Sequence, residues 1–309
     1  MNKQTIIIVT PVYEDRIAAE KLFQELKFEF KKTPIFVIAV DDGSVNNPLV
    51  SSKTNDMNGL IIKLNRNVGH QQAISIGLHY ASDHYPDNDL VVMDCDGEDL
   101  PSSASVLIEK LHKSDNYDVV VAQRRSRKES WLFKTFYVFY RCLFRLLTGK
   151  SITFGNFMAI KPSALFRLVR MQELWTHLAG CVVISKLRIY REPIDRGSRY
   201  HGQSKMSFVS LVQHGFKALT VFAEDVLIRI AIGCISMATF VVIGIFLVFL
   251  LKVINMATPG WASLLIGVLF LILLQTGMIT LLCLLLTNLS KKTSINFTYK
   301  NFIATISKL

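Results

Sequence analysis

Two long uncharged stretches near the end of the chain constrain its fold more than any other feature. The first runs from Ile230 to Leu251 and the second from Trp261 to Leu289, and neither contains a charged residue. A transmembrane helix needs about 20 apolar residues. The stretches therefore predict two membrane-spanning helices, and two buried helices of a soluble protein are the weaker alternative. Because both lie far from the N-terminus, neither is expected to be a signal peptide.

The residues around the two stretches predict a hairpin and its orientation. The connection contains the helix-breaking pair Pro259-Gly260, while Arg229 precedes the first stretch and Lys291 follows the second. Positive charge concentrates on the cytoplasmic side of membrane proteins. We therefore expect a multi-pass protein with both termini and residues 1–225 in the cytoplasm.

The net charge and the cysteines of the chain indicate which partners, disulfides and metal sites are expected. The formal net charge is +11, from 35 Lys and Arg against 24 Asp and Glu. Since two predicted spans place the chain at a membrane, attraction to anionic lipids is the economical explanation. The sequence contains no nucleic-acid-binding motif, so we expect no nucleic-acid partner. The cysteines have no C-x-x-C spacing, which favours reduced thiols over disulfides or a zinc site.

The first half of the chain alternates short apolar runs with segments of helical spacing. The predicted strands cover residues 5–9, 35–40, 60–64, 90–93 and 118–122, and the predicted helices cover residues 17–30, 70–81 and 102–111. Continuous apolar strands separated by helices are typical of a mostly parallel sheet covered on both faces. The predicted fold class is therefore α/β, with a Rossmann-like sheet.

Two further segments combine aromatic and basic residues, at about 130–148 and at 207–225. Such amphipathic helices can lie in the headgroup layer of a membrane, whereas a core helix covering the sheet is the alternative. The predicted domains are a cytoplasmic head at 1–206 that includes the first segment, a juxtamembrane helix at 207–225, two transmembrane helices within 226–290 (about 230–251 and 262–289) and a cytoplasmic tail at 291–309.

A dense acidic segment follows the predicted strand at 90–93. Asp94, Asp96, Glu98 and Asp99 place their carboxylates where that strand ends. Hard divalent ions such as Mg²⁺ and Mn²⁺ prefer oxygen ligands, and α/β proteins bind ligands at the carboxyl ends of strands. The segment predicts a metal site, and a solvated acidic turn is the alternative.

Three other predicted strands end in residues that could bind a nucleotide. Residues 11–14 read P-V-Y-E, residues 41–44 read D-D-G-S, and residues 65–70 read N-R-N-V-G-H before a helix. An aromatic ring can pack on a base, a carboxylate can accept hydrogen bonds from a base or a ribose, and the start of a helix favours anions. Each is a common turn sequence by itself. Their succession along one sheet edge predicts a nucleotide site.

Together these motifs resemble those of family 2 glycosyltransferases with the GT-A fold. The P-V-Y-E, D-D-G-S, N-x-G and D-x-D-x-x-D-x-P motifs follow the family order and spacing. The closest likeness is to polyprenyl-phosphate sugar transferases, such as dolichol-phosphate mannose synthases and bacterial undecaprenyl-phosphate glucosyltransferases. The resemblance covers nearly the whole chain, since bacterial members also carry interfacial helices and a C-terminal hairpin of two helices.

The resemblance implies roles for individual residues. Nucleotide-sugar binding is expected at Pro11, Tyr13, Glu14, Asp41, Asp42, Asn67, Gly69, Asp94 and Asn156. Mg²⁺ or Mn²⁺ is expected at Asp94, Asp96 and Glu98, the last standing where many relatives have Gln. The implied catalytic residues are Asp94, Asp96, Arg124, Arg199 and Lys205, of which the basic ones would engage phosphate groups.

One residue departs from the family pattern. Relatives often have Gly-Asp-Phe where this chain has Gly155-Asn156-Phe157, so an amide replaces a carboxylate. Either the protein is inactive, or its reaction needs no base at this position. The second alternative is physically reasonable, because a lipid monophosphate has a second pKa of about 6 and is largely ionised at neutral pH.

The resemblance implies a hexosyltransferase that moves a sugar, with inversion, from a UDP- or GDP-linked donor to undecaprenyl phosphate at a bacterial cytoplasmic membrane. Its product would supply cell-envelope glycans. The alternatives are a transferase that extends a lipid-linked saccharide and a non-catalytic membrane scaffold with a degenerate head. A processive polysaccharide synthase is disfavoured, because the Q-x-x-R-W motif of those enzymes lacks its Arg in Gln172–Trp175. Gly233, Gly244 and Gly267 give the spans small faces for packing in a homo-oligomer.

Overall fold

The computed structural model of the protein describes residues 5–50, 57–124, 131–200, 215, 217–254, 256, 260–292 and 298–309. The chain divides into two compact units. The sheet unit comprises residues 1–130, 152–221 and 296–309, and the helical unit comprises residues 131–151 and 222–295.

The sheet unit is built on one mixed eight-stranded sheet. Its strands are β1 (Ile6–Val12), β2 (Ile35–Asp41), β3 (Gly59–Leu64), β4 (Leu90–Val92), β5 (Val119–Arg124), β6 (Met158–Ile160), β7 (Ile189–Ile194) and β8 (Ile303–Lys308). Their order across the sheet is β7-β5-β6-β4-β1-β2-β3-β8. The pairs β1–β2, β1–β4, β2–β3 and β5–β7 are parallel, whereas β6 and β8 run antiparallel to their neighbours.

Helices cover both faces of this sheet. The main α-helices among the described residues are α1 (Arg16–Glu29), α2 (His70–His84), α3 (Pro101–Lys113), α4 (Trp131–Thr148), α5 (Pro162–Leu168), α6 (Leu178–Ile184), α7 (Ala223–Val253) and α8 (Trp261–Lys292). Ile7 and Val9 of β1 pack with α2, α5 and α6, while Ile6 and Ile8 pack with α1 and α3. Alternate residues of a strand point to opposite faces. The continuous apolar sequence of β1 thus follows from burial on both sides.

The strand directions bring one set of strand ends to a common edge. β6 is antiparallel to both β4 and β5, so β1 to β5 and β7 all run in the same direction. Their carboxyl ends therefore share an edge, and β6 begins at that same edge. The loops after these strands and the residues just before β6 collect there, where α/β proteins bind their ligands.

The predicted α/β fold class is confirmed, and the predicted strands and helices of the first half all form. β1 extends further than predicted, through Pro11, because β4 pairs with β1 only at Ile7–Val9 and needs no N–H from Pro11. β6 and β7 were not predicted. β6 is too short to show a pattern, and β7 includes Arg191, Glu192 and Pro193.

The end of the chain corrects one prediction. The sequence predicts a cytoplasmic tail at 291–309, but β8 pairs antiparallel with β3 as the edge strand of the sheet. Tyr299 is buried ahead of β8, and its hydroxyl donates a hydrogen bond to Asp83 at 2.8 Å. The side chains of β8 are mostly exposed, so backbone pairing rather than an apolar pattern holds this strand.

The helical unit contains α4 and the two long apolar helices. The most apolar 18-residue segments of Ala223–Val253 and Trp261–Leu286 have mean hydropathies of 2.8 and 2.5, and 11% and 6% of those segments are buried. Both are long and apolar enough to cross a membrane. Phe144 of α4 packs edge-on against Phe222, just before α7, with 5.7 Å between ring centroids.

The observed units differ from the predicted domains at one segment. The segment at 130–148 is helical, as α4, but it belongs to the helical unit rather than to the head at 1–206. The predicted transmembrane helices at about 230–251 and 262–289 lie inside α7 and α8. Residues 207–214 and 216 of the helix predicted at 207–225 lie outside the described residues, and 217–221 and 223–225 are helical.

Candidate active site

The loop after β2 is organised around two carboxylates. Glu14, which has a φ of 50°, accepts hydrogen bonds from the backbone N–H groups of residues 45–47. Asp41 is completely buried, and its two oxygens accept from the backbone of Ser44 and Leu49, each at 2.9 Å. Backbone donors cannot move away without unfolding the loop. Both carboxylates therefore hold the loop in shape.

Asp42 performs the same task for the loop after β3. Its two oxygens accept from the backbone N–H groups of Val68 and Gly69, at 2.7 and 2.9 Å. Gly43 lies so close to this loop that a Cβ on it would be 2.5 Å from the carbonyl carbon of Arg66. Burial raises the pKa of Asp42, and the two hydrogen bonds offset only part of that rise. The loops after β2 and β3 are thereby pinned together.

The remaining residues predicted to bind the nucleotide differ in accessibility. Tyr13 is 50% exposed at the end of β1, and Asn67 is exposed in the loop after β3. Pro11 is buried within β1, and Gly69 has a φ of 93°, which favours glycine. Tyr13 and Asn67 are therefore the predicted nucleotide residues whose side chains a ligand could reach at this part of the edge.

The acidic loop after β4 has charged partners. The backbone N–H of Asp94 donates to Asp99, at 3.0 Å. Asp96 accepts from the backbone N–H of Glu98 at 3.0 Å and pairs with the Arg199 guanidinium at 2.8 Å. Burial raises the pKa of Asp96, and the charges of Asp94 and Glu98 add to that rise. Negative charge concentrated in this way favours a cation nearby.

Glu98 lies between two arginines. One of its oxygens accepts from Nε of Arg199 at 2.9 Å, and the other pairs with the guanidinium of Arg196. Burial raises the pKa of Glu98, but its hydrogen bonds to the arginines and their charges outweigh burial and hold the pKa below its usual range. Glu98 is thus a charged anchor for both guanidinium groups.

The loop after β7 packs tightly on the acidic loop. Backbone N–H groups of Gly197 and Tyr200 donate to the carbonyls of Glu98 and Asp96, at 3.0 and 2.9 Å. A Cβ on Gly97 would be 2.8 Å from the Tyr200 ring, and one on Gly197 would be 2.2 Å from the Gly97 carbonyl oxygen. Only glycines allow this approach, which places the arginines over the acids.

His70, the first residue of α2, lies between the two groups of acids. Its Nε2 atom is 3.3 Å from Oδ1 of Asp94 and 3.1 Å from Nδ2 of Asn156. Burial lowers the pKa of His70, but the charge of Asp94 and a hydrogen bond to it, with a smaller effect of Asp42, raise the pKa above its usual value. The Nε2 atom of His70 thus faces both Asp94 and the amide of Asn156, and its role as donor or acceptor depends on the tautomer.

A narrow cleft opens where these groups meet. It is lined by Asp94, Glu98, Asn156 and Arg196, together with apolar atoms of Phe157. Carboxylates, an amide and a guanidinium facing one cleft could bind a polar anionic ligand, with oxygen ligands available for a cation.

Comparison with known families decides the class of protein. A model of glycosyl transferase family 2 matches residues 7–175, more than half of the chain. The chain belongs to glycosyl transferase family 2. As a member of this family, it is a glycosyltransferase that takes a sugar from a nucleotide-sugar donor. The predicted family, enzyme class and GT-A fold are confirmed.

Relatives of this glycosyltransferase extend over most of its length. The uncharacterised glycosyltransferase YkcC of Bacillus subtilis is 28% identical over 84% of this chain and 81% of its own. The uncharacterised glycosyltransferase sll0501 of Synechocystis is 27% identical over 85% of this chain and 84% of its own. The likeness therefore continues beyond the part that the family model matches.

A solved structure shares the fold of the glycosyltransferase. Glucosyl-3-phosphoglycerate synthase from Mycobacterium tuberculosis, in complex with Mn²⁺, UDP and glucosyl-3-phosphoglycerate, has a TM-score of 0.51. It is 14% identical, and the match covers 73% of this chain and 80% of that one. At this identity the likeness concerns the fold alone.

The residues of the glycosyltransferase fit a shared rather than a self-contained cation site. Among the residues that the structure describes, no three His, Cys, Asp or Glu side chains form a preassembled metal cluster. Asp94 and Asp96 supply carboxylate oxygens, of which one on Asp96 pairs with Arg199, and both oxygens of Glu98 face arginines. Mg²⁺ is often held by one or two carboxylates plus the phosphates of a substrate. The donor set therefore fits a divalent cation held jointly with a diphosphate.

The structure brings most of the predicted glycosyltransferase site together and adds residues to it. Lys205 lies outside the described residues, and Arg124 ends β5 with its side chain outside the described part. Arg196 and His70 were not assigned a role from the sequence. Arg196 could have been suspected, since it directly follows Asp195 after β7 and precedes Arg199 by three residues. His70 offered no such signal, because its neighbours come from distant parts of the chain.

Proposed function

We propose that this glycosyltransferase moves one sugar from a UDP- or GDP-linked donor to a polyprenyl phosphate, with inversion, at the cytoplasmic face of a bacterial membrane. The acceptor would be undecaprenyl phosphate, and the product would supply sugar for cell-envelope glycans. The observation that carries the proposal is the insertion of two exposed apolar helices between strands β7 and β8 of a glycosyltransferase sheet.

The exposure of α7 and α8 favours a lipid environment over water. The core helix of a soluble protein is mostly buried, and only 11% and 6% of the most apolar parts of these helices are. Large apolar surfaces are stable where lipid covers them. Two helices that each cross the membrane once also return the chain to the side of the membrane from which it left. An even number of crossings agrees with the sheet, because β7 before the helices and β8 after them belong to the same sheet.

The donor would bind along the edge of the sheet. Tyr13 and Asn67 are accessible for the nucleoside, on loops that Glu14, Asp41 and Asp42 hold in place. The diphosphate would lie at the acidic loop after β4. A divalent cation bound there with the diphosphate would neutralise it and so assist its departure.

The arginines of the loop after β7 would act on the phosphates. Arg196 and Arg199 lie over the acidic loop and are held by Glu98. Guanidinium groups bind phosphate oxygens in pairs of hydrogen bonds. In the proposed reaction they bind the anionic groups of donor and acceptor and reduce the repulsion between them. Lys205 and Arg124 remain predicted contributors to the same task.

The transfer needs no base from the protein. A phosphate oxygen of the lipid attacks the anomeric carbon, the new carbon–oxygen bond forms, and the bond to the nucleoside diphosphate breaks with its electron pair. The lipid monophosphate is largely ionised near neutral pH. An amide at Asn156 is therefore compatible with activity. The protein contributes mainly by positioning the two reactants.

Product analysis tests the proposal. The full-length protein in detergent is incubated with Mn²⁺, undecaprenyl phosphate and a panel of UDP- and GDP-sugars, and lipid products are identified by mass spectrometry. We expect a single sugar on the lipid phosphate. A longer saccharide built only on a lipid-linked primer would favour the extending transferase. Absence of both products and of nucleotide binding would favour the scaffold.

A further inference from the structure

A chain of hydrogen bonds runs from the backbone to the cleft through a residue that has no assigned role. Gln71, on the first turn of α2, is buried with 7% of its surface exposed. Its Oε1 accepts from the backbone N–H of Leu178 at 2.8 Å, and its Nε2 lies 3.1 Å from Oδ1 of Asn156. Asn156 itself lines the cleft, and its Nδ2 lies 3.1 Å from Nε2 of His70.

The backbone end of this chain fixes the direction of the hydrogen bonds from Leu178 through Gln71 to Asn156. The N–H of Leu178 is at the start of α6, where a helix leaves backbone donors without an internal acceptor. An N–H can only donate, so the atom of Gln71 that faces it must be the oxygen. The nitrogen of Gln71 must then face Asn156 and donate. Asn156 receives that bond on its oxygen and turns its NH₂ group toward the cleft.

The fixed direction of these hydrogen bonds removes the usual ambiguity of a side-chain amide. The oxygen and nitrogen of an amide are nearly alike in shape, so an isolated Asn can rotate and offer either one to a ligand. In this protein rotation of Asn156 would set its nitrogen against the nitrogen of Gln71. Asn156 therefore presents donors to the cleft, whereas a carboxylate at this position would only accept.

We propose that Gln71 is a positioning residue that makes Asn156 a hydrogen-bond donor to the sugar of the nucleotide-sugar. The group recognised is a sugar hydroxyl oxygen, which accepts from the Asn156 NH₂ group. The proposal rests on the proposed function, because it places the sugar in the cleft that Asn156 lines with Asp94 and Arg196. Gln71 itself does not touch the sugar.

The test reverses the hydrogen-bond chain with one substitution. In Gln71→Glu, one carboxylate oxygen still accepts from Leu178, but the other now faces Asn156 and requires a donor. Asn156 then rotates and turns its oxygen toward the cleft. Gln72→Glu is the matched control, since it makes the same change at the next residue of α2, which is partly exposed and outside the chain of hydrogen bonds.

Isothermal titration of the full-length protein in detergent with Mn²⁺ gives the readout. Each nucleoside diphosphate is compared with its sugar-linked form: UDP with UDP-glucose, and GDP with GDP-mannose. The variants are titrated with the pair that the wild type binds. We expect Gln71→Glu to weaken nucleotide-sugar binding by about tenfold, the worth of one hydrogen bond. Binding of the nucleoside diphosphate should stay within about twofold, and Gln72→Glu should change neither affinity.

The melting temperature of Gln71→Glu shows whether this variant folds. A second variant keeps the proposal testable if it does not. Asn156→Asp keeps the acceptor for Gln71 and replaces the NH₂ group by an acceptor, at a partly exposed position. It should reproduce the selective loss of sugar affinity. Combining it with Gln71→Glu should cause little further loss, because both changes remove the same donor.

Several outcomes overturn the proposal. If Gln71→Glu weakens binding of the nucleotide-sugar and of the nucleoside diphosphate equally, Gln71 is a structural residue only. If Gln71→Glu and Gln72→Glu have equal affinities, the hydrogen-bond chain has no effect on binding. Unchanged sugar affinity in Asn156→Asp would also contradict it. If the wild type binds a nucleotide-sugar but forms no sugar-linked polyprenyl phosphate, the acceptor assignment fails while the same titrations still decide the role of Gln71.

Discussion

The acids after β1 and β2 and the acids after β4 lie at the same edge of the sheet, but their partners differ in kind. Glu14, Asp41 and Asp42 accept hydrogen bonds from backbone N–H groups. Asp96 and Glu98 pair instead with guanidinium groups. Backbone donors are fixed parts of a loop, whereas a side-chain cation can move aside for another cation. The first group of acids thus holds loops in shape, and the second can exchange its partners.

Carboxylates therefore serve two tasks in this site: one group holds loops in shape, and the other can exchange its cationic partners. A buried carboxylate is costly unless donors or cations surround it. Fixed backbone donors offset part of that cost for Asp42, and a guanidinium that another cation could replace offsets part of it for Asp96. Substitutions in the first group should therefore reduce stability first. Substitutions in the second should reduce activity and cation binding and leave the fold intact.

The largest expected effect is loss of transfer in Asp96→Asn. Removing this carboxylate should lower the rate of lipid glycosylation by about 100-fold or more, because charge neutralisation at the diphosphate is lost. The melting temperature should stay near that of the wild type. Asp115→Asn is the matched control, since Asp115 is fully exposed and pairs only at the surface with Lys161. Full activity in Asp96→Asn would contradict the assignment of the acidic loop.

Asp42→Asn should instead lower stability. The amide keeps one acceptor oxygen but turns an NH₂ group toward a backbone N–H of Val68 or Gly69, so one buried donor loses its partner. The free energy of unfolding should fall by about 1–3 kcal/mol. Thermal denaturation in detergent measures it. A variant as stable as the wild type would remove the distinction between the two groups of acids.

Gly97→Ala should disturb the packing of the loop after β7 on the acidic loop. Gly97 has a φ of 89°, and the added Cβ would lie 2.8 Å from the Tyr200 ring. The strain of the backbone should cost about 1–2 kcal/mol of stability. The displaced arginines should also reduce transfer activity. Gly155→Ala serves as a comparison, because its Cβ would meet no atom within 4 Å.

The smallest expected effect is a difference in pH dependence between Glu98 and Asp42. The pKa of Glu98 is lowered in the folded state, so its stabilisation is present above its unfolded pKa and is lost as the pH falls through the folded value. The pKa of Asp42 is raised, so its ionisation opposes folding until the pH falls through the folded value. Protonation then relieves the penalty.

Melting temperatures from about pH 7 down to about pH 3, below the usual pKa of a Glu side chain, should show these opposite signs. The advantage of the wild type over Glu98→Gln should shrink as the pH falls, and its advantage over Asp42→Asn should grow. Parallel pH profiles for the two variants would show that the two carboxylates do not differ in this way.

Local patterns in the sequence were sufficient for the central sheet and the apolar helices. Buried parallel strands such as β1 and β2 read as continuous apolar runs, and α7 and α8 read as uncharged stretches. The acids could be placed at one edge because that edge follows from strand direction alone. β8 could not be predicted, since its exposed side chains carry no pattern and its partner, β3, is distant in the sequence.

The partners of the site residues were not predictable for the same reason. Nothing near Glu98 in the sequence indicates that Arg196 and Arg199 hold both of its oxygens. The link from Gln71 to Asn156 and Leu178 joins three separate parts of the chain. A sequence gives the residue types at a sheet edge, whereas their hydrogen-bond partners depend on how the loops fold over it.

Binding of Mn²⁺ tests the exchange of partners most directly. Electron paramagnetic resonance counts free Mn²⁺ in solutions of the full-length protein saturated with UDP or GDP, for the wild type, Asp96→Asn and Asp42→Asn. We expect Asp96→Asn to weaken Mn²⁺ binding at least about tenfold and folded Asp42→Asn to stay within about twofold of the wild type. Equal weakening in both variants, or no change in Asp96→Asn, would contradict the division between loop-building and cation-exchanging acids.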